Sequence, residues 1–418
     1  MPNLVEQKTK REKQTLMKGR LPTIAVERGR TGIKTSYGTV HEEFIAKLRG
    51  TTGIKTYSEM EHNDPIIGSV LHAIKQLLRE VRWSVVTPDG GNEKDTAFVQ
   101  ECMHQMDHTW DNFIANALSM LPYGWACFEQ VYQRRKDGKI SWKKFAPRVQ
   151  SSFERWEIDE FGETVGMYQR PAPDYHLYYI AKPKLLHFRT ESAGNNPEGR
   201  SILRNSFRPW FFKKNIEEFE AIGAERDLVG LPILTLPEGL DIGDADDEEV
   251  ISTITTAKQL LRNIKRDEQE GVLLPNGWEL SLLQSPGERQ INTSEIINRY
   301  NKEMAVTVLA QFIMLGMERT GSYALAKEQT DMFYMCLEGW ADSIASTINK
   351  GAISLLGNLN GFKEPYPEIT HASLRHYQLK DLSTYVKDLV GVGALVVDED
   401  MQKYFKDYAR LENFREPH

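Results

Sequence analysis

The chain has 418 residues, 40% of them hydrophobic, 27% charged and 10% aromatic, and at roughly 100–200 residues per domain it holds about two to four compact units. That length excludes one small fold, and the apolar fraction excludes a disordered chain. Asp plus Glu exceed Lys plus Arg by 59 to 52, a net charge of −7, which argues against a surface that grips polyphosphate on every side.

Residues 1–14 are charged rather than apolar, so no secretory signal is expected there. The first 34 residues carry nine basic side chains against three acidic ones, a net of +6. Such a polar, aperiodic end reads as an extended arm for an acidic neighbour or for nucleic acid, and equally as a solvated tail. The pentapeptide Thr31-Gly-Ile-Lys-Thr35 recurs at Thr52-Gly-Ile-Lys-Thr56, but no period continues and the match reads as coincidence.

Over residues 62–82 the apolar positions Ile66, Ile67, Val70, Leu71, Ile74, Leu77, Leu78 and Val81 predict an amphipathic helix. Asn63 or Asp64 is its cap, and Pro65 sits in its first turn. Residues 81–86 turn β-rich, and helical spacing returns over 95–121 through Phe98, Cys102, Met106, Trp110, Phe113 and Ala117. Segments 125–133, 140–145, 153–159, 164–169 and 177–188 are aromatic and β-branched, with turns at 136–138 and 159–162. They predict an antiparallel sheet region within an α+β unit.

A long helical stretch over 200–228 contains Pro209 near its start, which should begin or kink the main helix. A compact insert follows: a strand over 233–236, an acidic run from Asp244 to Glu249, a helix over 250–265, and strands over 272–274 and 278–283. The acidic run leads into a helix N-terminus, where the dipole favours negative charge. Residues 291–313 are again helical, with Ile296, Ile297, Tyr300, Met304, Val308, Leu309 and Phe312 in one stripe. Two glycines, Gly316 and Gly321, bound a short loop before a helix over 324–356. At about 1.5 Å per residue that helix is roughly 50 Å long, long enough to bridge several parts of an assembly. Two further helices, over 379–389 and 398–411, end the chain.

Catalytic and metal motifs fail on spacing. Gly50-Thr-Thr-Gly-Ile-Lys-Thr56 lacks the four-residue spacer and the Gly-Lys pair of a P-loop. His104 and His108 have helical spacing but Gln105 stands where a zinc-protease motif needs Glu. The carboxylates at 244–249 lack the spacing and turn glycine of a calcium loop. Cys102, Cys127 and Cys336 form no CxxC, so no disulfide framework or zinc ribbon is expected, a reducing interior suits the chain, and Cys127 reads as a core thiol. The longest near-apolar stretch, 306–317, is too short to span a bilayer, and a soluble protein is expected. No catalytic residue, metal or cofactor is assigned.

The stretch Gly199-Arg-Ser-Ile-Leu-Arg-Asn-Ser-Phe-Arg-Pro-Trp-Phe-Phe-Lys-Lys214, with Ala224-Glu-Arg226 and Gly230-Leu-Pro-Ile-Leu-Thr-Leu-Pro237, resembles the start of the stem and clip of tailed-bacteriophage portal proteins. Gly271-Val-Leu-Leu-Pro-Asn-Gly-Trp278 resembles the end of the clip, and residues 308–323 resemble the end of a second stem helix and a tunnel loop. The likeness runs in order over about residues 60–360 and rests on the succession rather than on one motif.

The resemblance implies an α+β portal-type subunit: basic arm 1–40, mixed α/β wing 41–198, stem helix 199–230, α/β clip 231–285, second stem helix 286–313, tunnel loop 314–323, long wing helix 324–365 and helical crown 366–418. It implies a homo-oligomeric ring of twelve subunits at one capsid vertex of a virion, assembled in the host cytoplasm, that passes double-stranded DNA in packaging and ejection. Gly316, Met317, Glu318, Arg319, Thr320 and Gly321 would face the DNA. Asp244, Asp246, Asp247, Glu248 and Glu249 would dock terminase and head–tail adaptor proteins, with major capsid protein and a scaffold as further partners. No enzyme activity, cofactor or membrane is implied. The rival readings are a nucleic-acid-processing enzyme or motor subunit, and a virion adaptor without a DNA channel.

Overall fold

Two residues of positive φ, Tyr37 at 50° and Gly38 at 80°, turn the chain between β1 (Thr35–Ser36) and β2 (Thr39–Val40), which pair antiparallel. A two-residue hairpin needs left-handed backbone at both centres. Gly38 has a second reason: a Cβ there would lie 2.1 Å from the Trp156 carbonyl oxygen, while the Trp156 N–H donates to the Gly38 carbonyl at 2.9 Å. The computed structural model describes residues 29–191, 193–229, 231–236, 248–263, 273–283, 292–307, 323–374, 387 and 390. The chain divides into two compact units, Met1–Arg204 with Leu315–His418, and Asn205–Met314.

In the first unit α1 (Gly50–Asn63) precedes α2 (Pro65–Arg79). Asp64 caps α2: its Oδ1 accepts from the N–H groups of Ile66 and Ile67, each at 3.0 Å, and Pro65 occupies the first helical position. The face carrying Ile67, Val70, Leu71, Ile74 and Leu78 is buried, worth about 1.5–3 kcal/mol for each large side chain removed from water. The heptapeptide from Gly50 to Thr56 is the first half of α1, a helix rather than a phosphate loop, and the two copies of the pentapeptide differ in conformation, Gly32 having φ of +76°.

After β3 (Trp83–Val86) the expected continuous helix over 95–121 is three: α3 (Glu93–His104), α4 (Trp110–Ala117) and the single turn α5 (Met120–Tyr123). The break has a tertiary cause. Asp107 donates its N–H to the Lys143 carbonyl at 2.9 Å, and His108 Nε2 accepts the Phe145 N–H at 3.0 Å. The intervening residues therefore bond to strand backbone, which competes with helix.

Strands β4 (Trp125–Arg134), β5 (Ile140–Arg148), β6 (Phe153–Ile158), β7 (Thr164–Gln169), β8 (Tyr178–Ala181) and β9 (Leu185–Arg189) follow. They make two antiparallel three-stranded sheets, β5-β4-β9 and β6-β7-β8, where one sheet region was expected. The expected strand over 177–188 is split by a 3-10 turn at Lys182–Lys184, placing its halves in different sheets. Val40, Trp125, Cys127, Phe153, Trp156, Met167, Ile180 and Leu185 form one core cluster. In another, Phe113 of α4 meets Phe145 at 4.8 Å and Phe128 at 5.1 Å between ring centroids.

The second unit holds α6 (Phe207–Val229), β10 (Leu231–Thr235), α7 (Glu248–Asn263), β11 (Glu279–Leu283) and α8 (Thr293–Thr307). Pro209 lies in the first turn of α6, where its missing N–H costs no helical bond. Strands β10 and β11 pair antiparallel from Leu231↔Leu283 to Thr235↔Glu279. Of the strand expected over 272–274, residue 272 lies outside the described residues, and Leu273 and Leu274 are irregular, Leu273 being fully solvent-facing.

The chain re-enters the first unit through α9 (Tyr323–Ile348), a π-helical turn at Asn349–Ile353 and α10 (Ser354–Asn360), ended by left-handed Gly361. The helix expected over 324–356 is therefore present, with a π turn inside it. Its inner face carries Phe333, Leu337, Ala341, Ile344 and Ile348. Residues 368–371 form β12 (Glu368–His371), which pairs antiparallel with β3 from Glu368↔Val86 to His371↔Trp83. Asn349 clamps this strand, donating to the Ile369 carbonyl at 3.0 Å and accepting the Ile369 N–H at 2.8 Å. The result is the mixed α+β class expected. The helices expected over 379–389 and 398–411 lie outside the described residues except at 387 and 390.

Candidate functional site

Helices α6 and α8 run antiparallel, as three cross-contacts establish. Ser206 and Thr307 share a hydroxyl hydrogen bond, the rings of Phe212 and Tyr300 stack at 6.3 Å, and Thr293 donates to Glu220. As the residue number rises on one helix it falls by nearly the same amount on the other, the register of a straight helical hairpin. Arg208 lies over Phe212 at 5.8 Å and Arg299 over Tyr300 at 4.9 Å, so cations cover part of the aromatic surface. The rest is uncovered: Phe219 is 72% exposed, and Phe212, Ile222 and Val306 each lie between 41% and 51%.

Between these helices stands the small lobe built of β10, α7 and β11. Ala257 is its buried residue on α7, and Ile233 and Ile251 face outward. Glu248 and Glu249 occupy the first turn of α7, where a helix dipole favours carboxylates. Asp244, Asp246 and Asp247 lie outside the described residues, as do Gly316, Met317, Glu318, Arg319, Thr320 and Gly321. In sequence the first group is flanked by β10 and α7, and the second by α8 and α9.

A second constellation, which sequence reasoning missed, lies in the stretch that leads into α6. Trp156 of β6 stacks on His187 of β9 at 4.9 Å and 24°. His187 Nε2–H donates to the Pro197 carbonyl at 2.7 Å. Burial and then the nearby Arg189 charge push the imidazole down to about 3, so it is neutral at physiological pH. Arg189 in turn donates to Asn195 Oδ1 at 2.9 Å and to the Asn196 carbonyl at 3.1 Å. Beside Trp156, burial pushes the Glu198 carboxyl up to about 7, and the indole N–H works against that rise.

The loop closes against Gly124. A Cβ on Gly199, whose φ is +55°, would lie 2.2 Å from the Gly124 carbonyl oxygen, so residue 199 must be glycine. The stack of Trp156 on His187 joins strands of different sheets and leaves no local signal.

Other candidate chemistry resolves into structure. His104 ends α3 while His108 lies beyond it, bonded to Phe145. Among the described residues no group of three or more His, Cys, Asp and Glu could hold a metal. Burial raises the thiols of Cys127 and Cys102, the latter to about 11, so both are protonated at neutral pH. No helix among the described residues is long and apolar enough to cross a membrane.

A family model described as the portal protein of Mu bacteriophage matches residues 54–407. Among solved structures the chain is similar to one from the neck of an empty GTA particle computed with C6 symmetry, with 12% identity, 84% of this chain and 93% of that chain covered, and a TM-score of 0.53. A chain from the virion of a native gene transfer agent (GTA) particle matches at 11% identity, covering 84% of this chain and 93% of that one, with a TM-score of 0.52. A third, from the neck of a native GTA particle computed with C12 symmetry, matches at 11% identity over 86% of this chain and 94% of that one, with a TM-score of 0.50. At these identities the likeness is one of fold.

Proposed function

The chain belongs to the family of the portal protein of Mu bacteriophage, and from that premise we propose that its copies close into a ring of twelve at one capsid vertex, through which double-stranded DNA enters and leaves. The observation that carries the reading is the hairpin of α6 and α8, which leaves Phe219, Ile222 and Val306 open to solvent in a single copy. A heterologous contact repeated about an axis covers such a face on every copy and closes. The likeness to particle necks computed with C6 and C12 symmetry supports a cyclic arrangement.

In this reading 41–198 and 324–365 form the wing, 199–230 and 286–313 the stem, 231–285 the clip, 314–323 the tunnel loop and 366–418 the crown. Gly316 and Gly321 let the loop shift while Met317, Glu318, Arg319 and Thr320 meet the passing DNA. The net charge of −7 suits a conduit, because each neutralised phosphate would add affinity and brake movement. The clip, through Asp244, Asp246, Asp247, Glu248 and Glu249, docks terminase during filling and head–tail adaptors afterwards. Packaging energy comes from terminase, and the chain itself is a structural protein rather than an enzyme, in contact with major capsid protein and scaffold in the host cytoplasm and then in the virion.

Electron microscopy of the purified protein and of proheads tests this. Rings with an axial opening wider than duplex DNA, about 20 Å, are expected. Single copies in both settings, or closed discs without an opening, overturn it and favour an enzyme or an adaptor.

A further inference from the structure

The basic arm finds no use in the channel reading, yet the first unit contains a cleft of about 680 Å³ whose charged lining is Glu42, Glu43, Glu191, Glu198, Arg200 and Arg204. Four carboxylates meet two guanidinium groups. Arg204 forks onto Glu43 with two bonds of 3.0 Å. Arg200 reaches Glu191 at 3.9 Å. Glu42 accepts the Lys34 N–H at 2.7 Å. Glu198 has no ion-pair partner among the described residues, and its carboxyl is held near neutrality by burial. A cation brought into the cleft would offset that burial.

Part of the wall of the same cleft is made by Thr31, Gly32 and Ile33, which lie in the arm just after its first 28 residues. Residues 1–28 carry seven basic side chains and three acidic ones, a net of +4. Opposite charges, with the arm tethered at the rim, give a high effective concentration at this one place. We infer that the cleft seats the basic arm of the same chain, with Lys and Arg side chains of residues 1–28 lying over Glu191 and Glu198. Seated there, the arm is withdrawn from nucleic acid, and the N-terminal segment braces the loop from which α6 departs in sequence.

The test places a photo-crosslinking p-benzoyl-phenylalanine at Phe44, which lines the cleft and is 75% exposed. Full-length protein is irradiated and its crosslinked peptides are identified by mass spectrometry, in a mixture of isotope-labelled and unlabelled copies. Crosslinks to peptides from residues 1–28 within one copy are expected. Their yield should fall about tenfold in the Glu191→Gln, Glu198→Gln double variant, since each partly exposed ion pair is worth up to a factor of about five. A second variant with the seven arm cations replaced by Gln alters no described residue and should lose the crosslink while still melting in one cooperative transition. Crosslinks only to other segments, crosslinks between copies, an undiminished yield in both variants, or loss of the crosslink on adding duplex DNA would each overturn the inference. Each outcome is scored on single copies and rings alike, so a failure here is distinct from a failure of the ring.

Discussion

His187 is held neutral by burial, with Trp156 over one face, and by the nearby Arg189 charge, while the hydrogen bond it donates to the Pro197 carbonyl works the other way. Its folded-state pKa of about 3 lies below the ordinary 6.5, so the unfolded chain binds the proton more tightly. The stability it contributes is complete above about pH 6.5 and is lost as pH falls from there toward about 3. A His187→Gln variant, whose amide can still donate to Pro197, should therefore have a flatter acid limb when melting temperature is followed from pH 7 to pH 4. An acid limb as steep as in the parent protein would remove His187 as its cause. Nothing in the local sequence marks this residue, because its environment is assembled from β6, β9 and the loop at Pro197.

At the scale of elements, what was legible and what was not divides by whether the cause is local. Asp64 and Pro65 mark the start of α2 in two consecutive residues, and the turn at 159–162 marks the β6–β7 hairpin. The break between α3 and α4 was invisible because Asp107 and His108 are captured by β5, and the π turn at Asn349 because its amide is fixed by Ile369. The hairpin itself was legible as two long helical stretches around an insert, but its outward face was not, since α6 carries apolar residues around most of its circumference. In the ring proposed above, the next copy covers that face. Phe219→Glu should weaken association between copies by about 30-fold or more, the loss expected for a buried aromatic anchor. It should change the stability of a single copy by no more than about 0.5 kcal/mol, because Phe219 is 72% exposed there. Mass photometry and thermal melts read the two effects separately, and rings that form at parental concentrations would exclude Phe219 from the contact.

For the whole molecule, the order of helix, lobe, helix and long helix was readable from the chain, whereas the chemistry of the proposed channel would depend on residues that act only in many copies at once. Deleting residues 316–320 should leave rings intact by electron microscopy while lowering packaged or retained DNA in particles, and particles of parental infectivity would take the loop out of the mechanism. Charge reversal at Glu248 and Glu249 should weaken binding of the packaging motor or the adaptor without dissolving the ring, and unchanged binding isotherms would count against that docking role. The first unit is closed by β12 on β3, with the Ser84 and Thr370 hydroxyls in contact at 3.2 Å across 286 positions of sequence. Vectorial synthesis on the ribosome therefore delivers the hairpin and its lobe as a contiguous block before the partner strand of β3 has emerged. A translation product cut short ahead of Glu368 lacks the strand that pairs with β3 and cannot close that sheet.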